Sequence, residues 1–171
     1  YNNIACVYDY QGEYDKALEK YEQSLEIFIT KLGADHPAVA DSYNNIGEVY
    51  RNQGEYDKAL EKYEQALEIR ITKLGADHPD VADSYNNIAN VYDNQGEYDK
   101  ALEKYEQALE IRITKLGADH PDVATSYNNI ASVYADQGEY DKALEKYEQS
   151  LEISIAKLRA GHPDLIDTAN R

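Results

Sequence analysis

The sequence repeats itself with a fixed period, and a fixed period decides the architecture before any local pattern does. The tripeptide Gly-Glu-Tyr begins at Gly12, Gly54, Gly96 and Gly138, and His-Pro stands at His36, His78, His120 and His162, so every interval is 42 residues. The two central copies, Tyr43 to Ser84 and Tyr85 to Ser126, differ only at Gly47/Ala89, Glu48/Asn90, Arg51/Asp93 and Asp83/Thr125. The copies divide the chain into residues 1–37, 38–79, 80–121 and 122–163, with 164–171 expected to form part of a capping helix.

Each copy reads as two helices. Val81, Tyr85, Ile88 and Tyr92 recur at helical spacing between Pro79, which suits a first turn, and Gly96, which suits a stop. This predicts a helix A over Pro79 to Gln95, with Tyr85, Ile88 and Tyr92 on its core face. Tyr98, Ala101, Leu102, Tyr105, Ala108, Leu109, Ile113 and Leu116 share one face of a helix B that ends before Gly117. Glu97 and Asp99 lie at its positive end and Lys115 at its negative end, the order the helix dipole favours. No alternating β-branched run occurs, so the fold class is all-α. One helix pair buries too little apolar surface to offset its ordering entropy; stacking against the next copy supplies the rest.

Charge and composition exclude several partners. With 33 acidic and 17 basic residues the net charge is −16, which repels phosphate backbones and anionic lipid, so neither nucleic acid nor membrane is expected as a partner. The single cysteine, Cys6, permits no internal disulfide and fits a reducing, cytoplasmic compartment. No apolar run approaches the roughly 20 residues that span a bilayer. The chain opens at Tyr1, partway into a copy and without methionine, so a start further upstream is expected.

Tyr43, Ile46, Gly47, Tyr50, Gly54, Tyr56, Ala59, Tyr63 and Ala66 fall on the tetratricopeptide signature, whose usual period is 34 residues. Ile71 stands where that signature places proline, and the chain continues through Thr72-Lys73-Leu74-Gly75-Ala76-Asp77-His78-Pro79, which resembles an added turn on each helix. The run from Ala66 to Gly75, then Asp77 to Ala82 and Asn86-Asn87-Ile88-Ala89, resembles the repeats of kinesin light chains; similar arrays form sensor arms of large signalling NTPases. The resemblance implies a right-handed α-solenoid of stacked antiparallel helix pairs, with extended peptides or partner segments held in a concave groove lined by the A helices.

Carried over by position, the resemblance implies groove residues at Asp83, Asn86, Asn87, Asn90, Asp93 and Asn94. Their equivalents are Asn2, Asn3, Cys6 and Asp9, then Asp41, Asn44, Asn45, Glu48, Arg51 and Asn52, then Thr125, Asn128, Asn129, Ser132 and Asp136. Helical geometry agrees, since the six central positions span about 120° opposite Tyr85, Ile88 and Tyr92. The copies differ here, reading Cys6/Glu48/Asn90/Ser132, Asp9/Arg51/Asp93/Ala135 and Tyr10/Asn52/Asn94/Asp136, whereas Glu-Tyr-Asp-Lys-Ala-Leu-Glu-Lys-Tyr-Glu-Gln on helix B never changes. Neutral drift would not select one face, and exposed positions on a scaffold are where binding differences reside.

The invariant asparagine pairs have two readings: amides that grip the backbone of an extended peptide, or a ladder joining adjacent A helices. Acidic residues outnumber Arg51 in the groove, which favours a neutral or basic protein segment. Co-chaperone relatives that hold C-terminal carboxylates use lysine and arginine where this chain has asparagine, aspartate or threonine. A metal site is not expected, because histidines on successive layers roughly 10 Å apart cannot share an ion that needs ligands at about 2 Å. No cofactor is implied, and neither a phosphate loop, a His-Glu-x-x-His motif nor a nucleophile elbow occurs, so the chain is not expected to be an enzyme. Two functions compete: a peptide-binding scaffold, and a structural or regulatory arm that spaces, self-associates or restrains a larger protein. At the C-terminal end Arg159-Ala160-Gly161 replaces Gly-Ala-Asp and Ala169 replaces the tyrosine seen at Tyr127, which reads as a terminal cap or a degenerate fifth repeat.

Overall fold

A computed structural model describes residues 1–161, and the capping segment expected at 164–171 lies outside them. The described residues form eight helices: α1 (Asn2–Tyr10), α2 (Tyr14–Leu32), α3 (Pro37–Asn52), α4 (Tyr56–Leu74), α5 (Pro79–Asn94), α6 (Tyr98–Leu116), α7 (Pro121–Asp136) and α8 (Tyr140–Gly161). Odd-numbered helices are the A helices and even-numbered ones the B helices. Packing runs along the chain, each helix lying principally against its sequence neighbours, so the array is an all-α solenoid of stacked pairs.

Local chemistry explains the boundaries. His36, His78 and His120 cap the A helices: each Nδ1 accepts the backbone N–H two residues on, at 3.1, 3.2 and 3.2 Å, with proline at the first helical position. The A helices stop in a glycine turn. Gly96 has φ +74°, and Glu97 N–H reaches back to the Tyr92 carbonyl at 2.8 Å, satisfying a terminal acceptor in a Schellman arrangement. Helix B ends at Gly33, Gly75 and Gly117, where φ of 91–95° with ψ of 151–154° lies in a region essentially reserved for glycine. Arg159 occupies the fourth such position, and there the helix does not stop: α8 runs 22 residues where α6 runs 19.

The core differs in detail from the tyrosine-centred face that periodicity predicts for helix A. Val81, Ala82, Ser84, Ile88, Ala89 and Val91 are buried in α5, an arc of about 180°, because an inner helix touches a neighbour on both sides. Tyr85 and Tyr92 are only half-buried; Lys104 and Lys100 place their Nζ 5.7 and 5.2 Å from the two ring centroids. The recurrent joint is made by small residues and one tyrosine. Ala59 and Tyr63 of one pair receive Ile88 and Val91 of the next, and Ala89, Ala101 and Tyr105 receive Ile130 and Val133 in the same way.

A second element of the joint is charged. Arg70 of α4 is buried and reaches two other helices: Nη1 donates to Ser84 Oγ (2.8 Å) and the Asp80 carbonyl (3.2 Å) on α5, and Nη2 to Asp41 Oδ1 (3.0 Å) on α3. Arg112 repeats the arrangement one copy later with Ser126, the Asp122 carbonyl and Asp83. Phe28 and Ser154 occupy the equivalent positions in the outer copies and cannot make this clamp. Replacing Arg112 by alanine is expected to cost about 2 kcal/mol, since it removes charge-assisted bonds while returning Asp83 to water; urea unfolding followed by circular dichroism measures it.

Gly47 offers a converse test. A Cβ there would meet the Tyr63 ring at 3.0 Å, yet Ala89 holds the corresponding place beside Tyr105, so a slightly shifted ring is available to this fold. The Gly47→Ala variant should gain up to about 1 kcal/mol of helix propensity, less the cost of that shift, and thermal unfolding should show a raised midpoint.

Candidate peptide-binding face

The sequence-predicted groove residues lie outside the buried arc of the A helices, on one side of α1, α3, α5 and α7, and the side chains fall into three sets according to what they touch. The asparagines form a ladder. Asn87 Nδ2 donates to Asn44 Oδ1 at 2.8 Å, and Asn129 Nδ2 donates to Asn86 Oδ1 at 2.9 Å, so the second asparagine of one copy joins the first of the copy before. Asn2 is half-buried with its Oδ1 lacking a partner, Asn45 is half-buried, and Asn3 and Asn128 are exposed. Each ladder amide spends one donor and one acceptor at most in this way, leaving capacity for a ligand backbone.

The second set meets the core tyrosines. Cys6 Sγ lies 3.0 Å from Tyr21 Oη, Tyr63 donates its hydroxyl to Glu48 Oε2 at 2.9 Å, and Tyr105 donates to Asn90 Oδ1. Burial pushes all three phenols well above their ordinary range, with Glu48 raising Tyr63 further and the Cys6 contact raising Tyr21. These hydroxyls therefore stay protonated and act as donors. Position 6/48/90 varies among copies, but within a limit: each occupant can accept a phenolic proton. Ser132 holds the equivalent position in the last copy and is exposed, as is Tyr147 at the place of Tyr105.

The third set carries the charge. Arg51 is ion-paired with Glu48 on its own helix, and Asn52 Nδ2 donates to Asp9 Oδ1 at 3.3 Å across the joint. One copy on, no such pairing forms. Asp93 is half-buried, its Oδ1 has no hydrogen-bond partner, and the neighbouring carboxylate is Asp136; burial first and Asp136 second hold the Asp93 carboxyl above the usual carboxylate range. Asn94, Asp136 and Thr125 are exposed, and Thr125 donates its hydroxyl to the Pro121 carbonyl of its own helix at 3.2 Å.

Two residues assigned to the groove by position serve the joint. Asp41 and Asp83 hold Arg70 and Arg112, as described above, because the arginines project between successive A helices, where these carboxylates stand in the second turn of α3 and α5. The arginines themselves escape a reading based on helical periodicity, since a basic residue near the end of helix B reads as solvated. The available signal was the series Phe28/Arg70/Arg112/Ser154, one of the few places where the B helices disagree. Among the described residues no three histidine, cysteine, aspartate or glutamate side chains converge to hold a metal, and no helix is long and apolar enough to cross a membrane. His36, His78 and His120 are occupied as helix caps, while His162 lies outside the described residues.

Known proteins agree with this architecture. The tetratricopeptide repeat family model matches residues 1–72, 39–114 and 80–156. The crystal structure of BtubC (BKLC) from P. vanneervenii is similar, with a TM-score of 0.82 and 29% identity over 92% of this chain, which spans 63% of that one. A kinesin light chain-like protein of Podosopora anserina, described as having nearly identical TPR-like repeats, gives a TM-score of 0.77 and 29% identity over 95% of this chain and 77% of its own. MamA, at 24% identity over 92% of this chain and 78% of its own with a TM-score of 0.65, shares the fold. No curated protein matches the sequence. Helix pairs, signature residues and family match together make this chain a member of the tetratricopeptide repeat family, with 42-residue repeats of the kinesin-light-chain-like type.

Proposed function

We propose that this chain is a protein-interaction scaffold whose A helices hold an extended neutral or basic segment of a partner protein. Tetratricopeptide repeats generally mediate protein–protein interaction and generally serve as non-catalytic scaffolds. The observation that carries the finer reading is the state of Asp93. A half-buried carboxylate with an unpartnered oxygen and a like-charged neighbour is unfavourable in the free protein, and a lysine or arginine placed between Asp93 and Asp136 relieves both the desolvation and the repulsion. The asparagines flanking it along α5 and α7 supply donors and acceptors for a ligand backbone. Arg51, paired internally with Glu48, adds no free cation to attract an acidic segment.

A structural arm is the second reading, and it is favoured by the same ladder. Asparagine bonds and arginine clamps tie successive copies together, which suits a spacer in a larger protein.

Two measurements separate these readings. A library of extended peptides each carrying one lysine, and the same library with the lysine acetylated, are tested against the wild-type chain and Asp93→Asn. The scaffold reading expects selection of the charged peptides and about a tenfold loss of affinity in the variant, the worth of one charge-assisted bond. The variant should at the same time be more stable by a few tenths of a kcal/mol, because solvent screens most of the relieved repulsion. Affinity has a definite pH sign as well. A bound cation lowers the Asp93 pKa from its raised value, so affinity is full at pH above the free-state pKa and falls as pH drops through it. Equal selection of both libraries, with no effect of Asp93→Asn, would leave the arm reading standing.

A further inference from the structure

The candidate face is not charged alike at each joint, and the differences form a series. Asn52, the last residue of α3, reaches back to Asp9 of α1 at 3.3 Å, so the end of one A helix lies beside the second-to-last residue of the A helix before it. The 42-residue period carries this contact to Arg51 with Asn94 and to Asp93 with Asp136. The influence of Asp136 on the Asp93 carboxyl agrees with that placement. At the middle joint Arg51 does not stand free. Its guanidinium pairs with Glu48, one turn earlier on α3, and the other Glu48 oxygen accepts the Tyr63 hydroxyl at 2.9 Å. The base is thus fixed through a carboxylate that the core phenol itself holds, and it cancels the charge of that carboxylate. From the first joint to the third the face carries one negative charge on Asp9, none where Arg51 offsets Glu48, and two on Asp93 and Asp136.

We infer that Arg51 determines the specificity of the candidate groove: it selects a partner segment with a basic residue at the Asp93–Asp136 joint and a neutral residue at the Arg51 joint. The inference rests on the scaffold reading and adds a register to it. Successive A helices lie about 10 Å apart and an extended chain advances about 3.3 Å per residue, so residues about three apart in a bound segment meet successive joints. A cation at the Arg51 joint gives up hydration without net attraction, because Arg51 already neutralises Glu48. A neutral side chain meets the exposed Asn94 amide there without that cost. At the next joint the same cation meets two carboxylates, one of them with an unpartnered oxygen.

The tightest single-lysine peptide of the library described above, resynthesised with a second lysine at each other position in turn, tests this. Affinities are measured by fluorescence anisotropy for wild type, Arg51→Gln, Glu48→Gln and Asp93→Asn, with circular dichroism confirming unchanged helicity. The net charge of −16 attracts any added cation, so a second lysine should strengthen binding at most positions. Three residues from the anchor, on the side that meets Arg51, affinity should fall about threefold below that trend, the size of one solvent-screened charge interaction. Arg51→Gln should abolish the dip, because Glu48 is then unpaired. Glu48→Gln should deepen it, since the new amide still accepts the Tyr63 proton but leaves Arg51 uncompensated. A flat profile in wild type overturns the inference, as does a dip that Arg51→Gln leaves unchanged; weaker binding of the same peptides by Asp93→Asn would then show that the scaffold reading stands without it. Binding that depends neither on the anchor lysine nor on Asp93 overturns both.

Discussion

Everything in this molecule rests on one tyrosine per pair being sealed by the next copy. Tyr21, Tyr63 and Tyr105 sit among alanines, close to the A helix of their own pair, and the joint is completed only when the following A helix brings an isoleucine and a valine onto the ring. The aromatic body supplies apolar burial that no single pair can supply alone, and the hydroxyl must find an acceptor once water is excluded. That acceptor comes from the candidate face: Glu48 for Tyr63 and Asn90 for Tyr105, with Cys6 in contact with Tyr21. The core and the candidate site are therefore chemically connected. A residue at this position of the candidate face is constrained from beneath by the phenol and left free above to differ, which accounts for why the copies vary there among polar groups rather than at random.

The period, the helix pairs and their limits were legible in sequence because each is a local or repeated signal. Proline and glycine positions, apolar spacing and charge order place Tyr98–Leu116 as a helix without reference to any partner. The histidine caps were visible as turns but not as acceptors, since the role depends on Nδ1 meeting a backbone N–H two residues on. The asparagine pairs permitted two readings from sequence, and the ladder bonds between Asn44 and Asn87 and between Asn86 and Asn129 depend on the spacing of adjacent A helices, which spacing along one helix does not encode.

Arg70 and Arg112 were illegible for a different reason. Their positions resemble a solvated end of helix B, and burial of a guanidinium becomes favourable only because a serine, a carbonyl and a carboxylate arrive from two other helices. That convergence draws Asp41 and Asp83 toward the joint. The acidity of the candidate face accordingly concentrates further along the array, around Asp93 and Asp136, where no cationic partner pairs with it among the described residues.

The interchangeability of the joints has a genetic consequence. Arg70 needs a serine on the following A helix, and Ser84 and Ser126 are equivalent; Tyr63 needs an isoleucine and a valine, and Ile88 with Val91 is matched by Ile130 with Val133. Loss of one whole 42-residue copy by recombination between the near-identical segments would bring α4 against α7 with the chemistry of every contact preserved. The number of copies is thus free to change by unequal exchange without passing through an unfoldable intermediate, and the reach of the array can evolve independently of the contacts that hold it together.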